Sequence, residues 1–361
     1  MIISKRLLTY GPLAVLLLLA LAYALYWFVI ASRITAELER LGGNEIVPGI
    51  TLQFAEKSVG GFPFRFDIFL GGVTIAAQGQ AGMSAWRSER IAVHAKIYGP
   101  RQYILEADGL QTFSWPADGG APQHILQMTS GITRAGAVLE NERLTRFDID
   151  IVNAVIRDAS LDAAPMREIR IARAQLQMVV REDDAIGVVA AIDAGEIGAG
   201  FRPALGGNLS RLRIDGQITD ANTLHDLRSG NESLGEASDA WRMAGGRIIL
   251  DPIEAAWGGT LLLGKSELAL DNRHRLSGLV TANPEDPVSF LGALSQSEMI
   301  PANTRAQLAA FRELAAGLPG NLDLPIRVEA QLPLGAGPIT PQLRIEGMSG
   351  IVVTFADGAP P

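Results

Sequence analysis

Polar and apolar positions follow three different patterns along this chain. Residues 11–31, GPLAVLLLLALAYALYWFVIA, are 21 residues without a charge. At about 1.5 Å per residue a helix of that length covers about 31 Å, the thickness of a bilayer's hydrocarbon core. Residues 32–41 continue it as a polar helix, with Ile34, Leu38 and Leu41 on one face and Gly42-Gly43 as the stop. Beyond that the period drops to two. Phe62, Phe64, Phe66, Ile68 and Leu70 alternate with Pro63, Arg65, Asp67 and Phe69. Ile91, Val93, Ala95 and Ile97 do the same, as do Phe147, Ile149 and Ile151, then Leu212, Ile214 and Ile218, and finally the run from Leu324 to Leu334. This is the pattern of antiparallel sheet with one wet and one dry face. At residues 169–180 the apolar parity switches from Ile169 and Ile171 to Ala174, Leu176 and Met178, which predicts a β-bulge near Ala172.

Helical spacing returns in two places. Asp286-Pro287 reads as an N-cap and first helical position ahead of Phe290, Leu291 and Leu294. Pro301 opens another helix with Thr304, Leu308, Phe311, Ala315 and Leu318 on one face. A short helix over 221–229 is compatible with the pattern, and 114–131 reads as a long loop. The fold class predicted is mainly β with a few helices: an N-terminal transmembrane helix followed by a curved, elongated antiparallel β-body. Its divisions are a cytoplasmic N-terminus (1–10), the anchor (11–31), a helical extension (32–43), the β-body (44–282), a helical insertion (283–320), C-terminal strands (321–355) and a tail (356–361).

A cleaved secretory signal is the competing reading of the apolar run. Ala20-Leu21-Ala22 suits a small-x-small cleavage site, yet cutting there leaves the apolar residues 23–31 as a new N-terminus. Retention as an anchor is favoured. Lys5 and Arg6 precede the run, whereas Arg33 and Arg40 follow it among Glu37 and Glu39, a slight asymmetry that favours a cytoplasmic N-terminus.

Charge narrows the partners. The formal charge is −8, and without Lys5 and Arg6 the remaining 29 basic and 39 acidic residues give −10. An acidic body excludes the broad basic surface that nucleic acid binding uses. The chain has no cysteine, hence no disulfide, thiolate ligand or thiol nucleophile.

The stretch VGGFPFRFDIFL at 59–70 carries a sharper signal. Through Gly61, Phe62, Pro63, Arg65, Phe66 and Asp67 it resembles the bacterial domain-of-unknown-function family two-one-two-five. Trp86, the run YGPRQYILEADG at 98–109, AWGG at 256–259, GKSELALD at 264–271 and LSGLV at 276–280 are similar to that family's later elements. The resemblance implies a single-pass protein of the bacterial inner membrane with a periplasmic body, distantly similar to AsmA-like and YdgA-like envelope proteins. It implies no activity.

No residue pattern here points to catalysis, a cofactor or a metal. In GFPFRFD, one reading makes Arg65 and Asp67 a ligand-facing pair. The favoured reading lets Phe62, Phe64 and Phe66 fill the base of a sheet while Arg65 and Asp67 pair in solvent. His94, His124, His225 and His274 are scattered without ligand spacing. Asp148, Asp150 and the Glu182-Asp183-Asp184 run read as solvated strand-end groups rather than a glycosidase pair. No G-x-S-x-G elbow, P-loop or dinucleotide fingerprint occurs. Residues 260–263 and the helix at 301–318 read as core, with an apolar groove as the alternative. The expected function is therefore a non-enzymatic, membrane-anchored envelope protein binding lipid or another amphiphile on an apolar sheet face. Alternatives are a scaffold that binds other envelope proteins and, last, a cell-wall or lipid hydrolase.

Overall fold

The structure, a computed structural model, describes residues 5–79, 82–96, 101–116, 123–160, 167–201, 203, 205–272, 274, 276–297, 300, 302–317, 326–332, 340–345 and 351–356. The apolar run and its polar extension form one helix, α1 (Lys5–Leu41). From Pro12 it is long and apolar enough to cross a membrane. Leu13, Val15, Leu16–Leu19, Leu21 and Leu25 are exposed, whereas Trp27, Ala31 and Leu38 are buried against the sheet. The helix stops where Gly42 N–H bonds Leu38 O and Gly43 turns to a positive φ.

The body is one sheet. Short strands β1 (Glu45–Val47), β2 (Ile50–Gln53) and β3 (Glu56–Gly60) pair along one edge, β1 with β2 and both β2 and β3 with β4 (Arg65–Gly79). From β4 an antiparallel meander runs through β5 (Gly82–Lys96) and β6 (Arg101–Trp115). β7 (His124–Thr129) and β8 (Ile132–Glu140) lie end to end between β6 and β9 (Arg143–Asp158). The meander continues through β10 (Glu168–Val180), β11 (Ile186–Ile197), β12 (Asn208–Ile218), β13 (Ile248–Trp257), β14 (Thr260–Leu270) and β15 (Leu276–Pro284). It ends in β16 (Ile326–Leu332), which pairs parallel with β18 (Ile351–Ala356), itself antiparallel to β17 (Thr340–Ile345). The antiparallel β class expected from the alternation is the class observed. β7 corrects the expected long loop at 114–131: β6 reaches Trp115 and β7 occupies His124–Thr129, while residues 117–122 lie outside the described residues. The tail residues 357–361, with Pro301, Leu318, Leu324 and Leu334, lie outside the described residues.

The parity switch at Ala172 is part of something larger than one bulge. The ladders on both sides of β10 pass from Ile171 to Arg173, and Ala172 falls opposite Asn153 of β9 and Ala194 of β11, both at positive φ. The line extends to Ser210, where the β12–β13 register slips. In the other direction it meets the break between β7 and β8, Gly109 and Glu89 at the β5–β6 slip, and Gly72, again with Gly109 and Gly72 at positive φ. From β4 to β12 the neighbouring strands thus carry an irregularity at the same level, so the registers of β9, β10, β11 and β12 stay in step. The apolar side of β4, β9 and β10 changes parity at this level, from Leu70 to Val73, from Ile151 to Ala154 and from Ile171 to Ala174, and the sheet keeps one dry face across a transverse seam.

Helices cover that face at separate places. A 3-10 turn (Ala221–Leu224), α2 (His225–Arg228) and α3 (Leu234–Met243) follow β12, in place of the single short helix compatible with 221–229. Ser233 and Glu236 close a capping box on α3, and its Trp241 donates to Thr219 O at 2.7 Å. α4 (Pro287–Gln296) starts as read, with Asp286 accepting from Ser289 N at 3.0 Å. Together with α5 (Ala302–Ala316) it forms a solid layer of Phe290, Leu291, Leu294, Leu308, Phe311 and Ala315 against Ile351. Leu291→Ala and Leu308→Ala, both at fully buried positions, are expected to cost about 2–5 kcal/mol each. Leu314→Ala, at an exposed position of α5, is expected to change the midpoint of denaturant unfolding little. Equal effects at the three sites would remove this layer from the core.

Candidate functional site

The GFPFRFD motif meets α1. Residues 62–64 form a turn ahead of β4, not the start of the strand, and Gly61 precedes it at φ +94°. A Cβ at Gly61 would sit 2.7 Å from Arg65 O and 3.0 Å from Asp67 Oδ2, so only glycine closes this turn without displacement. Two side chains of α1 bond its backbone: Tyr23 O–H donates to Pro63 O, and Trp27 Nε1–H donates to Arg65 O at 3.2 Å. The Trp27 ring stacks on Phe66 at 5.3 Å and meets Phe62 edge-on at 5.4 Å, while Phe28 stacks on Phe62 at 5.8 Å. Of the three phenylalanines expected in the base of the sheet, Phe66 alone is buried. Phe62 and Phe64 are 49% and 71% exposed, because the turn places them beside the helix and outside the sheet's dry face.

The expected solvent pair is corrected as well. Asp67 is buried, accepting from Arg65 Nε at 2.9 Å and lying 2.6 Å from His94 Nδ1 on the neighbouring strand. Arg65 itself is exposed. A buried carboxylate is stable when hydrogen-bonded from both sides in this way, and the cluster pins the first residues of β4 to β5.

The dry face is continuous. Directly paired residues at one level are Ile68, Val93, Leu105, Ala135 and Ile149 from β4 to β9. The same level continues as Leu176, Ala190, Ile214, Ile253, Gly264 and Ala282 from β10 to β15. No polar side chain interrupts it, and each of these residues is half-buried. A second row, Phe66, Ala95, Tyr103, Ala137, Phe147 and Met178, runs beside it. Its first strands lie under α1, where Ile68, Val93 and Leu105 pack with Ile34 and against Leu38, Leu70 and Ile91. The opposite face carries cross-strand ion pairs: Glu106–Arg134 at 2.6 Å, Asp150–Arg173 at 2.8 Å and Asp193–Arg213 at 2.5 Å.

Where α2 and α3 cross the dry face, a cavity of about 460 Å³ opens against Phe147, Met178, Ile186, Ile218, Ile248 and Trp241, with Arg146 and Arg228 also lining it. That volume falls within the roughly 300–1,000 Å³ of ordinary small-molecule sites. The groove considered at 260–263 and 301–318 is not this one: Thr260 is buried, and Leu308, Phe311 and Ala315 belong to the packed α4–α5 layer. The cavity residues escape sequence reasoning because they lie far apart in the chain and converge only through strand pairing. The Ser-x-x-Glu of the capping box was the available signal for α3.

The other candidates take structural places. Asp150 is held below its ordinary pKa chiefly by the hydrogen bond from Arg173, with burial opposing. Glu182, Asp183 and Asp184 form an exposed turn with Arg181 3.3 Å from Asp183. His124 stacks on Trp115 at 5.3 Å, His225 bonds Asp226, and His274 lies 2.9 Å from Asp239, whose pKa it lowers together with Arg242. Among the described residues no group of three or more His, Asp or Glu is placed to hold a metal ion.

The adjacent glycines of the motif separate its roles. Gly61→Ala is expected to destabilise the protein by about 1–3 kcal/mol through the positive φ and the approach to Arg65 O. Gly60, with open space where its Cβ would stand, is expected to accept alanine with little change in thermal unfolding. Equal tolerance at both positions would show that the turn does not need its observed shape.

Comparison with curated proteins and with solved structures found no match. A family model described as "Uncharacterized protein conserved in bacteria (DUF2125)" matches residues 27–340, from the tryptophan that docks the turn to the first residue of β17. The chain therefore belongs to the DUF2125 family of bacterial proteins.

Proposed function

We propose that this protein is a non-enzymatic, single-pass protein of the bacterial inner membrane, with its N-terminus cytoplasmic and its sheet periplasmic, and that the dry face of the sheet holds the acyl chains of a lipid or similar amphiphile. One observation carries the reading: an uninterrupted apolar row from Ile68 to Ala282 that starts beneath α1 and stays half-open until the α4–α5 layer. A packed core leaves its residues closed, as Leu291 and Leu308 are. Half-buried aliphatic side chains in contiguous rows instead offer area to an apolar ligand, each Å² covered contributing about 25 cal/mol. Near its middle the face meets the cavity under α2 and α3, where Arg228, its Nε buried without a hydrogen-bond partner, is the cation for an anionic headgroup.

A photo-activatable residue at Leu176, on the dry face, is expected to trap lipid in cells. The same residue at Gln177, on the exposed opposite face, is expected to trap little. Equal yields at both positions, or protein adducts alone at Leu176, would end the lipid reading and favour the scaffold.

A further inference from the structure

The turn at residues 62–64 has two aromatic side chains that the sheet does not cover. Phe64 is 71% and Phe62 49% exposed, and Phe62 stacks on Phe28, itself 60% exposed on α1. Helix and turn therefore present one continuous aromatic surface, joined by Tyr23 to Pro63 O and by Trp27 to Arg65 O. The level of that surface is fixed by the helix. Arg33 is the first charged residue after the apolar run. Trp27 and Tyr23 lie six and ten residues before it, about 9 and 15 Å along the axis at about 1.5 Å per residue. A turn bonded at those two residues stands level with the last apolar turns of the span, not above them.

We infer that the Phe62-Pro63-Phe64 turn inserts into the lipid leaflet on the body's side of the membrane, as a second attachment beside α1. This inference rests on α1 spanning the membrane. The chemistry fits that depth: the turn is aromatic and proline-bearing, its Pro63 carbonyl and the Arg65 carbonyl that follows it are bonded to α1, and the nearest cation, Arg65, is long enough to reach the headgroups while bound to Asp67. Aromatic rings next to a span are held at the interface between acyl chains and headgroups. With helix and turn both seated, Phe66 and Ile68, at the start of the dry face, lie against the bilayer's edge.

The absence of cysteine makes single labels simple. Full-length Phe64→Cys, Leu17→Cys and Glu285→Cys would each carry an environment-sensitive fluorophore in vesicles of phosphatidylethanolamine and phosphatidylglycerol. Leu17 is exposed at mid-helix, and Glu285 is exposed between β15 and α4. The label at position 64 is expected to be blue-shifted, quenched by doxyl groups on the lipid chains and protected from aqueous iodide, as at position 17, while position 285 reports water. Lipid quenching at 17 with iodide quenching at 64 would overturn the inserted turn and leave the span intact. A blue-shifted label at 64 that lipid quenchers do not reach would mean that another copy of the chain covers it, and would also overturn the inference. Loss of lipid quenching at 17 would overturn the span and the turn together.

Discussion

A sheet made by antiparallel pairing with one polar face must cover or occupy the other, and most of this structure follows from that constraint. The ion pairs on the wet face do not hold the fold, since exposed pairs contribute about 0–1 kcal/mol each. Apolar area does. At the β4 end it is closed by α1, through Trp27 on Phe66 and Leu38 against Leu52, Leu70 and Val73. At the far end it is closed by α4 and α5 around Leu291 and Leu308. Between them the covering thins, and α2 and α3 bridge the face without filling the space beneath.

Keeping one face dry over so many strands needs more than alternation. A single bulge in one strand would turn its remaining side chains to the wrong side and break every row that crosses it. The seam through Gly72, Gly109, Asn153, Ala172 and Ala194 avoids this by placing the irregular residue at one level in neighbouring strands. Bulges bend the strands that carry them, so a line of bulges bends the sheet as a unit. Curvature and an unbroken apolar row then have one cause.

Much of this was legible in the sequence, and the failures share a pattern. The helix, its polar extension, the strands around residues 91–96, 147–151 and 211–218 and the Asp286 cap follow from local periodicity and capping, which a chain displays in order. The parity switch at Ala172 was visible too, but a single strand shows only its own bulge and not the seam. Phe62 and Phe64 misled because alternation with Arg65 and Asp67 reads as strand. The turn that removes them from the sheet depends on Gly61 and on bonds from Tyr23 and Trp27, about forty residues earlier. Asp67 is buried and lies in hydrogen-bond range of His94, a partner on another strand. The cavity was invisible for the same reason, since Phe147, Ile218 and Trp241 meet through pairing and not through spacing.

The family match begins at Trp27, inside the apolar run rather than after it. A helix that served only as a tether would need hydrophobicity and length, which many sequences supply. Trp27 is held instead to a geometry: an indole N–H facing Arg65 O, a ring stacked on Phe66, and a Gly61 turn that admits no Cβ. Replacing it by leucine would keep the hydropathy and lose both the bond and the stack. The apolar helix is thus part of the β-body's own packing. The surface that α1 leaves exposed at Leu25 and Phe28 passes without a polar break into the surface it turns toward Phe66 and Ile68. A soluble body on a string would place a polar linker at that point. Here the two apolar surfaces adjoin, and the row that leaves β4 begins where the apolar run of α1 ends.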